Sequence, residues 1–217
     1  MSRDPQPRAL VFVLPGGGYE IHADHEAEPV AVWLESIGIA ARVLRYPVAP
    51  AHHPEALDYV RDYVALARAD FDGPIGVLGF SAGGHLAGLA AYLPAAAAES
   101  VPDFAILCYP VTSMGEGGHL VSRLNLLGPD FVDPEQLSLA GLVGPSSPPT
   151  FLWHTAVDEA VLVLDSIELA ASLARAHRDF ALYVFPEGVH GLGLARGSSA
   201  AEWTSLCASW LNRLLGS

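Results

Sequence analysis

The chain has 217 residues, 51% of them hydrophobic and 16% charged, which suits one globular domain with a full core and excludes a disordered protein. Its formal net charge of −13 argues against nucleic acid and anionic membranes as partners, because a like-charged surface repels phosphate. Residues 1–8 are polar and Pro-containing, with none of the apolar middle of a signal peptide, and no apolar run approaches bilayer length, so the expected location is cytoplasmic. In chain order, Leu10 to Leu14 reads as a short apolar strand. Glu26 to Ile37 follows as a helix, with Val30, Trp33, Leu34 and Ile37 on one face and Gly38 as its stop. Ile39 to Leu44 is a second strand. Pro54 to Ala69 is a helix with Leu57, Val60, Val64 and Leu66 near one face. Ile75 to Leu78 is the third strand, and a helix runs on from Ser81 through Leu86, Leu89, Ala90 and Leu93. Phe104 to Tyr109 is the fourth strand, Thr150 to Thr155 the fifth and Phe180 to Phe185 the sixth. Val163 to Ala176 and Ala200 to Leu215 are the last helices.

Alternation of this kind predicts an α/β fold of about six mostly parallel strands, with helices on both faces of the sheet. The exception is Thr112 to Pro149, rich in Gly, Pro and Ser, with one helical fragment near His119 to Leu127. A segment that long carries structure or function of its own, and it is read as an insertion in a single domain (1–217) covering part of the active-site mouth. Cys108 and Cys207, the only cysteines, fall in apolar patterns; they read as buried small side chains in a reducing compartment and are too few for a zinc site.

The segment Leu78-Gly79-Phe80-Ser81-Ala82-Gly83-Gly84-His85 carries the strongest chemical signal. Gly-x-Ser-x-Gly between a strand and a helix describes a tight turn that strains the serine backbone and lifts its hydroxyl clear of the sheet. Side chains at positions 79 and 83 would collide where strand and helix run close together. A serine hydroxyl is a weak nucleophile and needs a base and a group that orients that base. In a parallel sheet these groups lie beyond the carboxyl ends of strands. Asp158 follows the fifth strand and His190 follows the sixth, which makes Ser81, Asp158 and His190 the expected set. Glu159 and Glu187 are rival acids; Asp158 is preferred because Asp-x-x-Val sets it in the turn just past the strand. Among the other histidines, His22, His25, His52, His53, His119 and His177 read as solvated or structural, His85 as packing near the serine, and His154 as a support for Asp158. Asp165 falls in a helix pattern and is expected to cap it or face solvent.

A negative oxygen in the transition state requires preorganised donors. The glycines of Leu14-Pro15-Gly16-Gly17-Gly18-Tyr19 can turn amides toward it, so Gly17, Gly18 and the amide of Ala82 are the expected donors. A phosphate loop would want Gly-Lys-Ser/Thr, and the chain has no lysine.

Together these segments resemble the α/β-hydrolase superfamily and, within it, the hormone-sensitive-lipase-like esterases. The glycine loop there is usually His-Gly-Gly-Gly, whereas Pro15 holds the first position here. The run from Arg45-Tyr46-Pro47 to Asp58 is similar to the segment after the next strand in those enzymes. The closer likeness is to bacterial carbohydrate esterases of the acetyl-xylan and feruloyl type, on Pro15–Tyr19, Gly79–His85, Ser122–Gly128 and Trp153–Thr155. The acid turn departs from that pattern, with Val157 and Leu162 where Asp and Pro are usual. The resemblance implies a minimal three-layer α/β-hydrolase fold lacking two starting antiparallel strands, with any cap reduced to 112–149. It also implies a serine carboxylesterase acting on short-acyl esters, such as O-acetyl groups on sugars or xylo-oligosaccharides. The expected partner is a small-molecule ester, with no metal or organic cofactor; a homo-oligomer is compatible with the sequence. A thioesterase or lactone hydrolase, a small peptidase, or a non-catalytic binding protein of the same fold are the alternatives.

Overall fold

The computed structural model describes residues 6–129 and 131–216. Six parallel strands form one sheet: β1 (Leu10–Leu14), β2 (Ala40–Val43), β3 (Ile75–Phe80), β4 (Phe104–Cys108), β5 (Thr150–Thr155) and β6 (Phe180–Phe185). Their spatial order is β2-β1-β3-β4-β5-β6. Strand alternation sorts the core into two layers. Leu10, Phe12, Leu14, Ile75, Val77 and Leu107 face α2 (Glu55–Asp70), α3 (Ala82–Tyr92) and α6 (Val163–Arg175). Val11, Val13, Leu78, Phe80, Ile106 and Trp153 face α1 (Glu28–Ser36) and α7 (Trp203–Leu215).

The chain travels one way from β1 to β2 and the other way from β3 onward. A crossover of constant hand then sends α1 to one face and α2, α3 and α6 to the other. The reversal opens a crevice beyond the carboxyl ends of β1 and β3, which pair from Leu10↔Ile75 to Leu14↔Gly79. The loop after β1 and the turn after β3 therefore face each other across one gap.

All six strands are parallel, in agreement with the expected sheet of about six mostly parallel strands. Several finer expectations differ. The first helix begins at Glu28, because Asp24–Glu26 forms a separate 3-10 turn that sends the Glu26 side chain inward. Leu66 is 66% exposed and Ala67 takes its place on the buried face of α2, since Leu57, Val60, Val64 and Ala67 keep helical spacing and a residue two after Val64 cannot. The 112–149 segment holds α4 (Leu120–Leu127), a 3-10 turn (Pro134–Leu137) and the single-turn α5 (Leu139–Leu142); the last two are too short to show periodicity. Among the described residues, no helix is long and apolar enough to cross a membrane.

Candidate active site

Ser81 sits between β3 and α3 with φ 52° and ψ −116°, a strained conformation for a residue bearing a side chain. Its amide donates to the Cys108 carbonyl (3.0 Å), and its carbonyl accepts from the amides of His85 (3.0 Å) and Val111 (3.1 Å), so the strain is locked in from both sides. The flanking glycines are sterically compulsory. A Cβ on Gly79 would lie 2.1 Å from the Gly83 carbonyl oxygen, and one on Gly83 would lie 2.2 Å from that of Leu14. The second clash shows how tightly α3 abuts the loop after β1.

His190, in the loop after β6, reaches both partners. Its Nε2 lies 2.8 Å from Ser81 Oγ and its Nδ1 lies 2.6 Å from Asp158 Oδ2. With Nδ1–H donating to the carboxylate, Nε2 is free to accept the serine proton. Asp158 is buried, and its other oxygen, Oδ1, accepts the amides of Ala160 and Val161, both at 3.0 Å. Burial pushes its carboxyl up, but donors from His154, His190 and the Val161 amide outweigh that and hold it well below the usual carboxylate range. His154 is fully buried: Nδ1 faces Ser166 Oγ (2.8 Å), and Nε2 faces the Val161 carbonyl (2.9 Å) and Asp158 Oδ2 (3.3 Å). Glu159 and Glu187 are both exposed.

The glycine loop is anchored by its carbonyls. Pro15 O accepts from Tyr46 Oη (2.7 Å), Gly16 O from the Ala23 amide (3.0 Å), Gly17 O from the Glu20 amide (3.0 Å) and Gly18 O from Asn125 Nδ2 (2.9 Å). Among the described residues, no acceptor takes the amides of Gly17, Gly18 or Ala82. The φ of Gly17 is 130°, and a Cβ there would lie 2.2 Å from Ile21 O, so only glycine fits. Three unengaged amides beside a strained serine make a place where a developing oxyanion can be received.

Other residues near the site acquire their roles only from contacts between distant segments, although His85 packs near the serine as its position on the helix implies. His85 is buried in α3, accepting from Tyr19 Oη at Nδ1 (2.8 Å) and donating from Nε2 to Leu137 O (2.8 Å). Burial pushes its pKa down to about 4. It thereby ties the glycine loop to α3 and to the insertion. His119 accepts from the Ser122 amide at the start of α4, and it lies near enough to His190 for their charges to interact. Asp165 neither caps α6 nor faces solvent: Oδ2 accepts the Thr112 amide (2.7 Å) and pins the start of the insertion to that helix. Only a contact map could have shown this, because its partner lies 53 residues away. Glu26, spaced like a surface residue, is buried beside the glycine loop.

No protein-family model matches the chain. Two curated relatives are endo-1,4-beta-xylanase B of Butyrivibrio fibrisolvens, 32% identical over 94% of this chain and 35% of its own length, and an acetylxylan esterase of Xylanibacter ruminicola, 31% identical over 89% of this chain and 42% of its own. This chain thus spans well under half of either. Among solved structures, an acetyl ester-xyloside bifunctional hydrolase from Caldicellulosiruptor lactoaceticus is 39% identical, superposes with a TM-score of 0.89, and is matched over 99% of this chain and 85% of that one. With its six-stranded parallel sheet and these relatives, the chain belongs to the α/β-hydrolase superfamily.

Proposed function

We propose that this chain is a serine carboxylesterase that removes short acyl groups, foremost O-acetyl groups on sugars or xylo-oligosaccharides, through an acyl-serine intermediate. Ser81 Oγ attacks the ester carbonyl while His190 Nε2 takes its proton. Asp158 fixes the ring and stabilises the imidazolium. The amides of Gly17, Gly18 and Ala82 receive the oxyanion. His190 then protonates the leaving alcohol, and a water activated by the same ring hydrolyses the acyl-serine, returning the hydroxyl to Ser81.

The observation that carries this reading is the single imidazole whose two nitrogens lie 2.8 Å from Ser81 Oγ and 2.6 Å from Asp158. The acetyl preference draws support from the names of the relatives. It also draws support from Val121, whose Cγ1 lies 3.2 Å from where a Cβ on Gly18 would stand and so crowds the oxyanion loop. A cytoplasmic setting is supported by two free, buried cysteines. A panel of acetylated xylo-oligosaccharides and aryl acetates, butyrates and octanoates tests the reading. The expected order is acetyl first, with octanoate slowest; faster turnover of octanoate would remove the short-acyl assignment.

A further inference from the structure

Among the described residues, Glu26 is the one deeply buried carboxylate near the cleft that the proposed chemistry leaves unused. Its side chain is 3% exposed. A carboxylate is retained at that depth only where donors compensate its lost hydration. Oε2 accepts the Gly16 amide at 2.8 Å, and Oε1 accepts the Tyr109 hydroxyl at 2.6 Å. That hydroxyl in turn accepts the Gly193 amide at 2.7 Å. His25 Nε2 stands 3.7 Å from Oε1 and donates to Gly191 O (2.8 Å).

Each partner belongs to a different loop of the site. A Cβ on Gly16 would lie 2.7 Å from Glu26 Oε2 and 3.1 Å from Ser81 Cβ, so the carboxylate grips the glycine loop where it rests on the serine. Tyr109 follows β4 with φ 36°, a strained value for a tyrosine, and its ring packs edge-on against His190 with centroids 5.1 Å apart. Gly193 lies three residues after His190, in the same loop. The oxyanion loop, the Tyr109 turn and the histidine loop are thus joined through one buried carboxylate. We infer that Glu26 is a positioning residue: through Gly16 and Tyr109 it sets the register of the oxyanion amides and of His190 relative to Ser81. This rests on the esterase reading for its reaction, but its geometry stands independently of which ester is cleaved.

The isosteric change Glu26→Gln tests it. Glutamine offers one acceptor where two donors converge, so either Gly16 or Tyr109 must shift. The readouts are kcat per active site, with sites counted by fluorophosphonate titration, and the rate constant of phosphonylation itself. Positioning predicts a fall in both of about 10- to 100-fold, with KM changed less than about threefold. Tyr109→Phe, which breaks the same link from its other end, is expected to lower kcat as well and to cost little more in the Glu26→Gln background. A merely structural role would reduce the number of titratable sites and leave kcat per site at the wild-type value; that result in Glu26→Gln, or full additivity with Tyr109→Phe, would overturn the proposal. If Glu26→Gln does not fold, Tyr109→Phe decides alone, and wild-type kcat per site would count against it. A wild-type chain that is phosphonylated but cleaves no acetyl ester removes the substrate reading while leaving the variant phosphonylation rates to judge Glu26. A wild type inert to both probes overturns both.

Discussion

The cleft has two walls built by different physics. One comprises the glycine loop, the serine turn and the start of α3, where backbone meets backbone so closely that no side chain fits at Gly17, Gly79 or Gly83. The other is the 112–149 segment, tied down by separate polar links: Asp165 to the Thr112 amide, His85 to the Leu137 carbonyl and Asn125 to the Gly18 carbonyl. The first wall tolerates almost no change of volume. The second exposes Leu120, Val121 and Leu124 and can vary residue by residue. Ser81 and the unengaged amides of Gly17, Gly18 and Ala82 all sit on the crowded wall.

The largest expected effects lie at Ser81, on the crowded wall, and at His190, which reaches it from the loop after β6. Ser81→Ala should lower kcat for an aryl acetate by about a millionfold, and His190→Ala by at least about a thousandfold. A near-normal rate in His190→Ala would move the base to another histidine. A paired glycine test then separates the walls directly. Gly83→Ala should destabilise the chain by about 3 kcal/mol or more in urea unfolding, because its Cβ would meet the Leu14 and Pro15 carbonyl oxygens at 2.2 and 2.5 Å. Gly141→Ala, in α5 with nothing within 4 Å of the new Cβ, should stabilise it by about 0.5 kcal/mol. Equal effects at the two sites would erase the distinction.

The polar ties predict how stability follows pH. Burial holds the folded His85 ring at about 4, below the ordinary imidazole value of about 6.5, so the unfolded chain takes up the proton first. Its contribution is complete above about pH 6.5 and is lost as pH falls from there toward 4, a change on the order of 3 kcal/mol. Asp158 is also held low, but as an acid: its contribution is present above about pH 4 and disappears at lower pH. Urea midpoints measured from pH 7 to 4 should therefore fall in the wild type and flatten in His85→Asn. An unchanged slope in that variant would show that His85 is not the titrating group. The smallest effect on turnover belongs to Asn125→Ala, which frees the Gly18 carbonyl: kcat should drop about tenfold at nearly constant KM. A change in KM alone would assign Asn125 to substrate binding instead.

The same division explains what the sequence made legible. Gly79 and Gly83 announce themselves because steric necessity leaves no alternative residue, and they mark Ser81 between them; the unbroken apolar runs at Leu10–Leu14 and Ile75–Leu78 reveal strands covered on both faces. Asp158 and His190 could be placed by one topological rule, since both follow carboxyl ends of strands. Glu26, Tyr109 and Asn125 could not. Each acts through contacts with residues 10 to 107 positions away, and nothing in their local spacing distinguishes a buried carboxylate or amide from a solvated one. Asp165 differs from its expected capping or solvent-facing role for the same reason: helical periodicity reports a face, not the amide that reaches it from another part of the chain.

The most direct test of the central claim, that Ser81 is the acylated oxygen, is peptide mass spectrometry after reaction with a fluorophosphonate. One adduct is expected, on the peptide containing Ser81, absent in Ser81→Ala and strongly slowed in His190→Ala. Equal labelling of Ser81→Ala, or an adduct on any other residue of the wild type, would contradict it.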